Sequence, residues 1–332
     1  PRQFYQMAKK IGAVDQMNAG DLTVKCLVGL SDCEAAEAVG QSFAAVSAEQ
    51  SPLDRTKLPA YLPSLPPPQV TEWQVLRKLE SLKNTRSTME IDIENKLRKE
   101  VAVELVTPLT NIINTCLKEK KWPQIYKHER VTPVPKVPQP ETLKDLRKIS
   151  CTSDYNKLLE GFLKEFILQD IGGKIDLSQY GGKKGVGTEH MMVALVDRIL
   201  KLLDSHPDKS AVILAGVDWA NAFARGEPTT TLKKFITMGL RPSLVPLLAD
   251  YFSNIKMTVR YNSGESSVIG LIGGFPEGSL IGQDAYIAAS NDCADSTDQD
   301  DRFRYIDDLE ISDLVSLAGI LYEYDVWSHV PS

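Results

Sequence analysis

Cysteine and histidine are scarce in this chain: five cysteines, at 26, 33, 116, 151 and 293, and four histidines among 332 residues. An odd number without paired spacing, with the histidines set far from it, argues against a disulfide framework or a zinc site. The cysteines read instead as small core residues of a protein kept in a reducing compartment, the cytoplasm. No apolar run reaches about 18 residues, so no membrane-spanning helix is expected. The chain opens on Pro1, without a basic stretch followed by an apolar one, and reads as an internal segment with no signal peptide. The glycine-rich "YGGKKGVGT" lacks the Gly-Lys-Ser/Thr ending of a P-loop. No internal repeat is present.

What is there suits an ordinary globular protein, 42% hydrophobic and 25% charged, long enough for two packed subdomains. A net charge of −6 excludes a generally basic coat for nucleic acid, but its distribution is uneven. Residues 118–148 hold nine Lys or Arg against four Asp or Glu, and residues 289–313 hold nine Asp or Glu against two Arg. The first stretch can hold a phosphate backbone; the second is best tolerated if bound cations offset its repulsion.

The order of elements predicts an α/β chain of the α+β kind. Residues 1–57 read as a helical N-terminal segment, and 58–70, "LPAYLPSLPPPQV", as a proline-rich linker. Helical periodicity follows in "TEWQVLRKLESLK" and in "VAVELVTPLTNIINTCLKEK", the latter expected to end at Pro123. The proline-broken "RVTPVPKVPQP" suits an exposed edge strand. "SDYNKLLEGFLKEFILQDI", capped by Ser153 or Asp154, and "EHMMVALVDRILKLLDSH" are amphipathic helices. From 211 onward strands alternate with helices and include two hairpins, which predicts one mixed, mostly antiparallel sheet with helices on one face.

The strand "AVILAGVDW" ends on Asp218, where a carboxylate can face a ligand or cap the next helix. In "RFRYIDDLEISDLV", Asp307 and Asp308 would point to opposite faces of a continuous strand, but at a hairpin tip both can reach one rim. The other aspartate pair, Asp300 and Asp301, reads as a solvated acidic loop. In "GGFPEGSLIGQ" the glycines allow close backbone approach, and Ser279 begins a helix whose amides can meet a phosphate.

In this order the segments resemble right-hand polymerases of the reverse-transcriptase and RNA-dependent RNA polymerase kind, over roughly residues 72–332. "VDWANAFAR" resembles the first palm motif, "GGFPEGSLIGQ" the second and "YIDD" the third. "RVTPVPK", "LRKISCTSDYNKLLEGFL" and "YGGKKGVGTEHMMVAL" resemble the fingers segments that precede them. The resemblance implies fingers over 71–210 and a palm over 211–332, with the thumb missing or truncated. It implies two Mg²⁺ or Mn²⁺ ions held by Asp218 and Asp307 with Asp308 assisting. Lys136 and Arg147 would hold the triphosphate of the incoming nucleotide, with Phe223, Gly278, Ser279 and Gln283 completing its site and Lys183 and Lys184 touching the template. The implied partners are an RNA template, its nascent strand and nucleoside triphosphates.

Whole segments are most similar to polymerases of the weivirus-like positive-strand RNA viruses, which implies an RNA product made in a host cytoplasm. The competing implication is a reverse transcriptase of a non-LTR-type retroelement. Phe223 stands five residues after Asp218, where an aromatic ring excludes a ribose 2′-OH at about 1–3 kcal/mol; packing under the strand end is its structural alternative. Ala224 stands where a second aspartate is usual, Glu277 replaces a glutamine, and Ile306 replaces the glycine of the usual "GDD". A polymerase-like module that binds nucleic acid without catalysis is the third reading.

Overall fold

Ser31 accepts a hydrogen bond from the Glu34 amide and the Glu34 carboxylate accepts one from the Ser31 amide, a capping box that starts α1 (Asp32–Ala48). Thr71 and Gln74 do the same for α2 (Glu72–Glu80). The computed structural model describes residues 22–60, 66–83, 92–205, 210–294 and 296–316. The helices expected before residue 22, the middle of the proline-rich linker and everything after residue 316 lie outside the described residues.

Helices α3 (Asn95–Glu100) and α4 (Ala102–Glu119) follow. Helix α4 stops before the expected Pro123 because Lys120 is left-handed, φ 56°, and its N–H turns back to the Cys116 carbonyl. Strands β1 (His128–Pro135) and β2 (Leu146–Cys151) precede α5 (Asp154–Ile171), capped by Ser153 as expected, and α6 (Thr188–Ser205). Next come β3 (Ser210–Val217), α7 (Pro228–Thr237), α8 (Val245–Tyr251) and β4 (Lys256–Tyr261). The short β5 (Gly264–Glu265) and β6 (Ile269–Gly270), α9 (Leu280–Ala289), β7 (Arg302–Tyr305) and β8 (Asp308–Ser316) complete the described chain.

The fold is α+β, but the single sheet expected from residue 211 onward is two among the described residues. One is five-stranded, in the order β2-β1-β4-β5 with β6 also on β4; the other is three-stranded and antiparallel, in the order β3-β8-β7. Strand β1 is not the edge strand that its prolines suggested. It pairs with β2 on one side and, in parallel, with β4 on the other. The prolines are tolerated because β4 pairs only with His128 to Val131, so Pro133 and Pro135 lie past the two-sided part.

Helix α1 covers the five-stranded sheet through Ala36, Val39, Val131, Met257 and Val259. Helix α6 lies on the other sheet, where Met191 and Leu195 meet Phe303. The largest core lies among the helices, with Leu159, Phe162, Leu163 and Ile167 of α5 against Trp122, Leu248 and Ile281. Burying an aliphatic side chain of this size contributes about 1.5–3 kcal/mol. No helix among the described residues is long and apolar enough to cross a membrane.

Helices α5 and α9 are also joined by a charged pair, Lys164 Nζ to Asp284 Oδ1 at 2.8 Å. Burial pushes the Asp284 carboxyl up to about 6, against the opposing pull of Lys164. A carboxyl raised by folding binds its proton better in the folded state, so stability falls as pH rises from about 4, the unfolded value, to about 6. The stability difference between Asp284→Asn and the unsubstituted protein is therefore expected to move in the variant's favour from pH 4 to pH 7 in urea titrations. A difference constant across that range would show that Asp284 titrates as an ordinary carboxylate.

Candidate functional site

The site grows from one end of the three-stranded sheet. Val217, the last residue of β3, pairs with Leu309, so Asp218 comes level with Asp308. Tyr305 pairs with Asp308, which leaves Ile306 and Asp307 as a two-residue hairpin turn. The register thus brings Asp218, Asp307 and Asp308 to the same rim. Ile306 is left-handed at φ 63°, a conformation that costs a β-branched residue about 1–3 kcal/mol. Burial raises the Asp308 carboxyl above its ordinary value, and the charges of Asp307 and Asp218 raise it further.

Several charged side chains of this acidic stretch are paired. Arg198 grips Asp301 with two bonds of 2.8 and 3.0 Å, Lys234 pairs with Asp292, and the buried Arg302 and Arg304 hold Asp176. Arg198 and Lys234 thus pair with two of the acids of 289–313, while Arg302 and Arg304, the two cations of the stretch, turn to Asp176 outside it. Asp301 is therefore tied down, whereas Asp300 stays exposed as expected. Among the described residues, the carboxylates of Asp218, Asp307 and Asp308 accept no hydrogen bond and form no ion pair. An all-carboxylate set at a sheet rim suits a hard dication such as Mg²⁺, although no three acidic, histidine or cysteine side chains of the described residues are gathered at ligand spacing.

A basic wall stands on the neighbouring sheet. The ladder pairs Val134 with Arg147 and Pro135 with Leu146, and Lys136 just beyond donates its N–H to the Asp145 carbonyl at 2.7 Å. Lys136 and Arg147 share a cavity of about 230 Å³ with Lys148, Asn221, Ala224 and Glu277. Asn221 and Ala224 lie on the loop that leaves Asp218, so the basic wall adjoins the segment that carries the first aspartate of the rim. The Glu277 carboxyl is raised by burial first, with Lys148 opposing and the charges of Glu129 and Asp307 adding to the rise.

Lys148 and Asn221 were not legible as site residues. Lys148 is next to Arg147 on a strand, where neighbours face opposite sides, and its ammonium pairs with the buried Glu129 at 2.9 Å. No local pattern shows that the five-stranded sheet and the Asp218 loop meet.

The glycine-rich segment is laced to the same loop: Gly274 donates to the Gly226 carbonyl and Phe275 to that of Phe223, both at 2.8 Å. Gly278, φ 80°, passes so close to β2 that an added Cβ would lie 2.9 Å from the Ser150 carbonyl oxygen. Ser279 caps α9 by accepting from the Gly282 amide, and its hydroxyl meets that of Tyr251 at 2.6 Å in the interior. Leu280 donates its N–H to the buried Glu160, whose carboxyl burial raises above the usual range. The Ser279 side chain thus faces the core. Gln283 stands on α9 beside Gly182. Phe223 is half-buried, packs on the main core and stacks on Tyr286 at 5.3 Å. Lys184 is exposed and Lys183 half-buried on the loop that follows Gly182.

No known protein-family model matches the chain, and no curated protein sequence is similar to it.

Proposed function

We propose that this chain forms the fingers and palm of a template-directed polymerase that copies RNA into RNA. The observation that supports the reading is the strand register that brings three unpaired aspartates to one sheet rim, with a basic cavity beside the loop that leaves Asp218. Like charges left together cost stability, and a dication between them removes that cost. Asp218, Asp307 and Asp308 would hold the ions, which in such sites activate a hydroxyl and stabilise the leaving oxygen in phosphoryl transfer.

The remaining chemistry belongs to the chain. Arg147 offers a planar fork and Lys136 a point charge to a polyphosphate, and both open on the cavity beside the Asp218 loop. Glu277 and Lys148 set the charge of the cavity's inner wall. The RNA template and the nascent strand would run over the basic stretch 118–148.

Phe223 bears on the choice of sugar. Its stacking on Tyr286 turns part of the ring into the core, which favours the packing role over that of a gate against a 2′-OH. Its spacing from Asp218 is what favours the reverse-transcriptase reading. With an RNA template and primer and Mg²⁺ or Mn²⁺, the protein is expected to incorporate ribonucleotides in preference to deoxyribonucleotides. Phe223→Ala should leave that preference within a few-fold. A deoxyribonucleotide preference that the substitution relaxes would overturn the RNA product, and RNA binding without incorporation of either would make the chain a binding module.

A further inference from the structure

The turn that carries Asp307 is held from outside the hairpin. Residues 178–181 run beside β7: Tyr180 donates to the Arg304 carbonyl at 2.8 Å, and Arg304 donates to that of Ser178 at 2.9 Å. This places Gln179, 2% exposed, directly behind the turn. Its Oε1 accepts from the Ile306 amide at 2.9 Å and from the Gly181 amide at 2.9 Å, and its Nε2 reaches the Ile306 carbonyl at 3.4 Å. One primary amide therefore engages both polar backbone groups of the left-handed residue. Gly181 closes the fit, because a Cβ there would lie 2.6 Å from the Ile306 nitrogen.

We infer that Gln179 is a positioning residue, which fixes the Ile306 peptide and thereby aims the carboxylates of Asp307 and Asp308. The inference rests on the polymerase reading for its consequence, but not for its geometry. A two-residue turn carries no bonds of its own beyond the flanking pair, and an isoleucine has no intrinsic reason to stay left-handed. Without the grip of Gln179 the peptide is free to flip into the extended or right-handed region, and the aspartate that follows swings with it.

The test uses the whole chain with Gln179→Met, which keeps the length of the side chain and loses its hydrogen bonds, and Gly181→Ala, which presses on the same peptide. Lys127→Met, far from the turn, serves as a control for lost stability. All three are assayed well below their melting temperatures by Mn²⁺ titration, ribonucleotide incorporation and amide exchange at Ile306. Both turn variants are expected to weaken Mn²⁺ binding about 10-fold and to lower kcat about 100-fold, the order of effect of a misplacement near 1 Å, while KM for the nucleotide stays within about two-fold. The control should retain Mn²⁺ affinity. Faster Ile306 exchange in Gln179→Met with Mn²⁺ affinity and kcat unchanged would overturn the positioning role and leave the polymerase reading intact. An unsubstituted protein that neither binds Mn²⁺ nor incorporates nucleotides would overturn both.

Discussion

Asp307→Ala is expected to abolish nucleotide incorporation without unfolding the protein. Asp307 is the turn residue of the β7–β8 hairpin, and its charge raises the proton affinity of Asp308, Glu277 and Tyr286. Its carboxylate has no hydrogen-bonding or ion-pairing partner among the described residues, so alanine removes repulsion and breaks no contact. The melting temperature should therefore stay level or rise, as is common where a site keeps a costly charge for its function. On the proposed polymerase reading, losing a ligand to an ion that stabilises transition-state charge by several kcal/mol should lower kcat by about 10³-fold or more. Mg²⁺ or Mn²⁺ should raise the melting temperature of the unsubstituted protein and not that of the variant, because only a binding-competent folded state gains from the ion. A variant with undiminished incorporation would sink the assignment.

Lys127→Met is expected to cause the largest loss of stability. The ammonium of Lys127 is buried and pairs with Asp250 Oδ2 at 2.8 Å, and the same carboxylate accepts from the Trp122 amide at 2.8 Å. Removing one partner of such a buried pair costs about 3–5 kcal/mol, read as a lower urea midpoint, and leaves Asp250 only the exposed Lys121, at 3.4 Å, as a cationic partner among the described residues. Asp250→Asn in the same chain should recover much of that loss, since the neutral amide oxygen still accepts from Trp122. Burial alone would raise the Asp250 carboxyl, but the bonds from Lys127 and Trp122 overcome it and hold it below the ordinary range. A carboxyl lowered by folding contributes stability above its unfolded value of about 4 and loses that contribution as pH falls through its folded one. In Lys127→Met the sign should reverse, so that the variant's deficit shrinks toward acid pH. A deficit that stays constant across that range would mean that the Trp122 amide, and not Lys127, keeps Asp250 ionised.

Much of the local structure was legible. Ser153 does cap α5, and the apolar spacing of "EHMMVALVDRILKLLDSH" does build α6. These features were readable because a cap and an amphipathic face involve residues no more than about four apart. Asp218 at the end of an apolar strand and two aspartates at a hairpin tip were readable for the same reason. The pairing of strands was not. The prolines of β1 suggested an edge, yet β4 approaches from more than a hundred residues away and pairs with the part that precedes them. The acidic run hid partners in a similar way: Arg198 and Lys234, both distant in sequence, pair with Asp301 and Asp292, and Asp176 takes up Arg302 and Arg304.

The amino-acid sequence by itself determined the Ser153 cap, the amphipathic face of α6, and that Asp218, Asp307 and Asp308 stand at strand ends. Only the tertiary structure decided that these aspartates come to one rim and that Lys136 and Arg147 line a cavity with the loop that leaves Asp218. It also decided that Gln179 holds the turn. Caps and periodicity are satisfied within one turn of chain, whereas strand partners, ion pairs and a buried amide's hydrogen bonds are chosen among groups that only packing brings together.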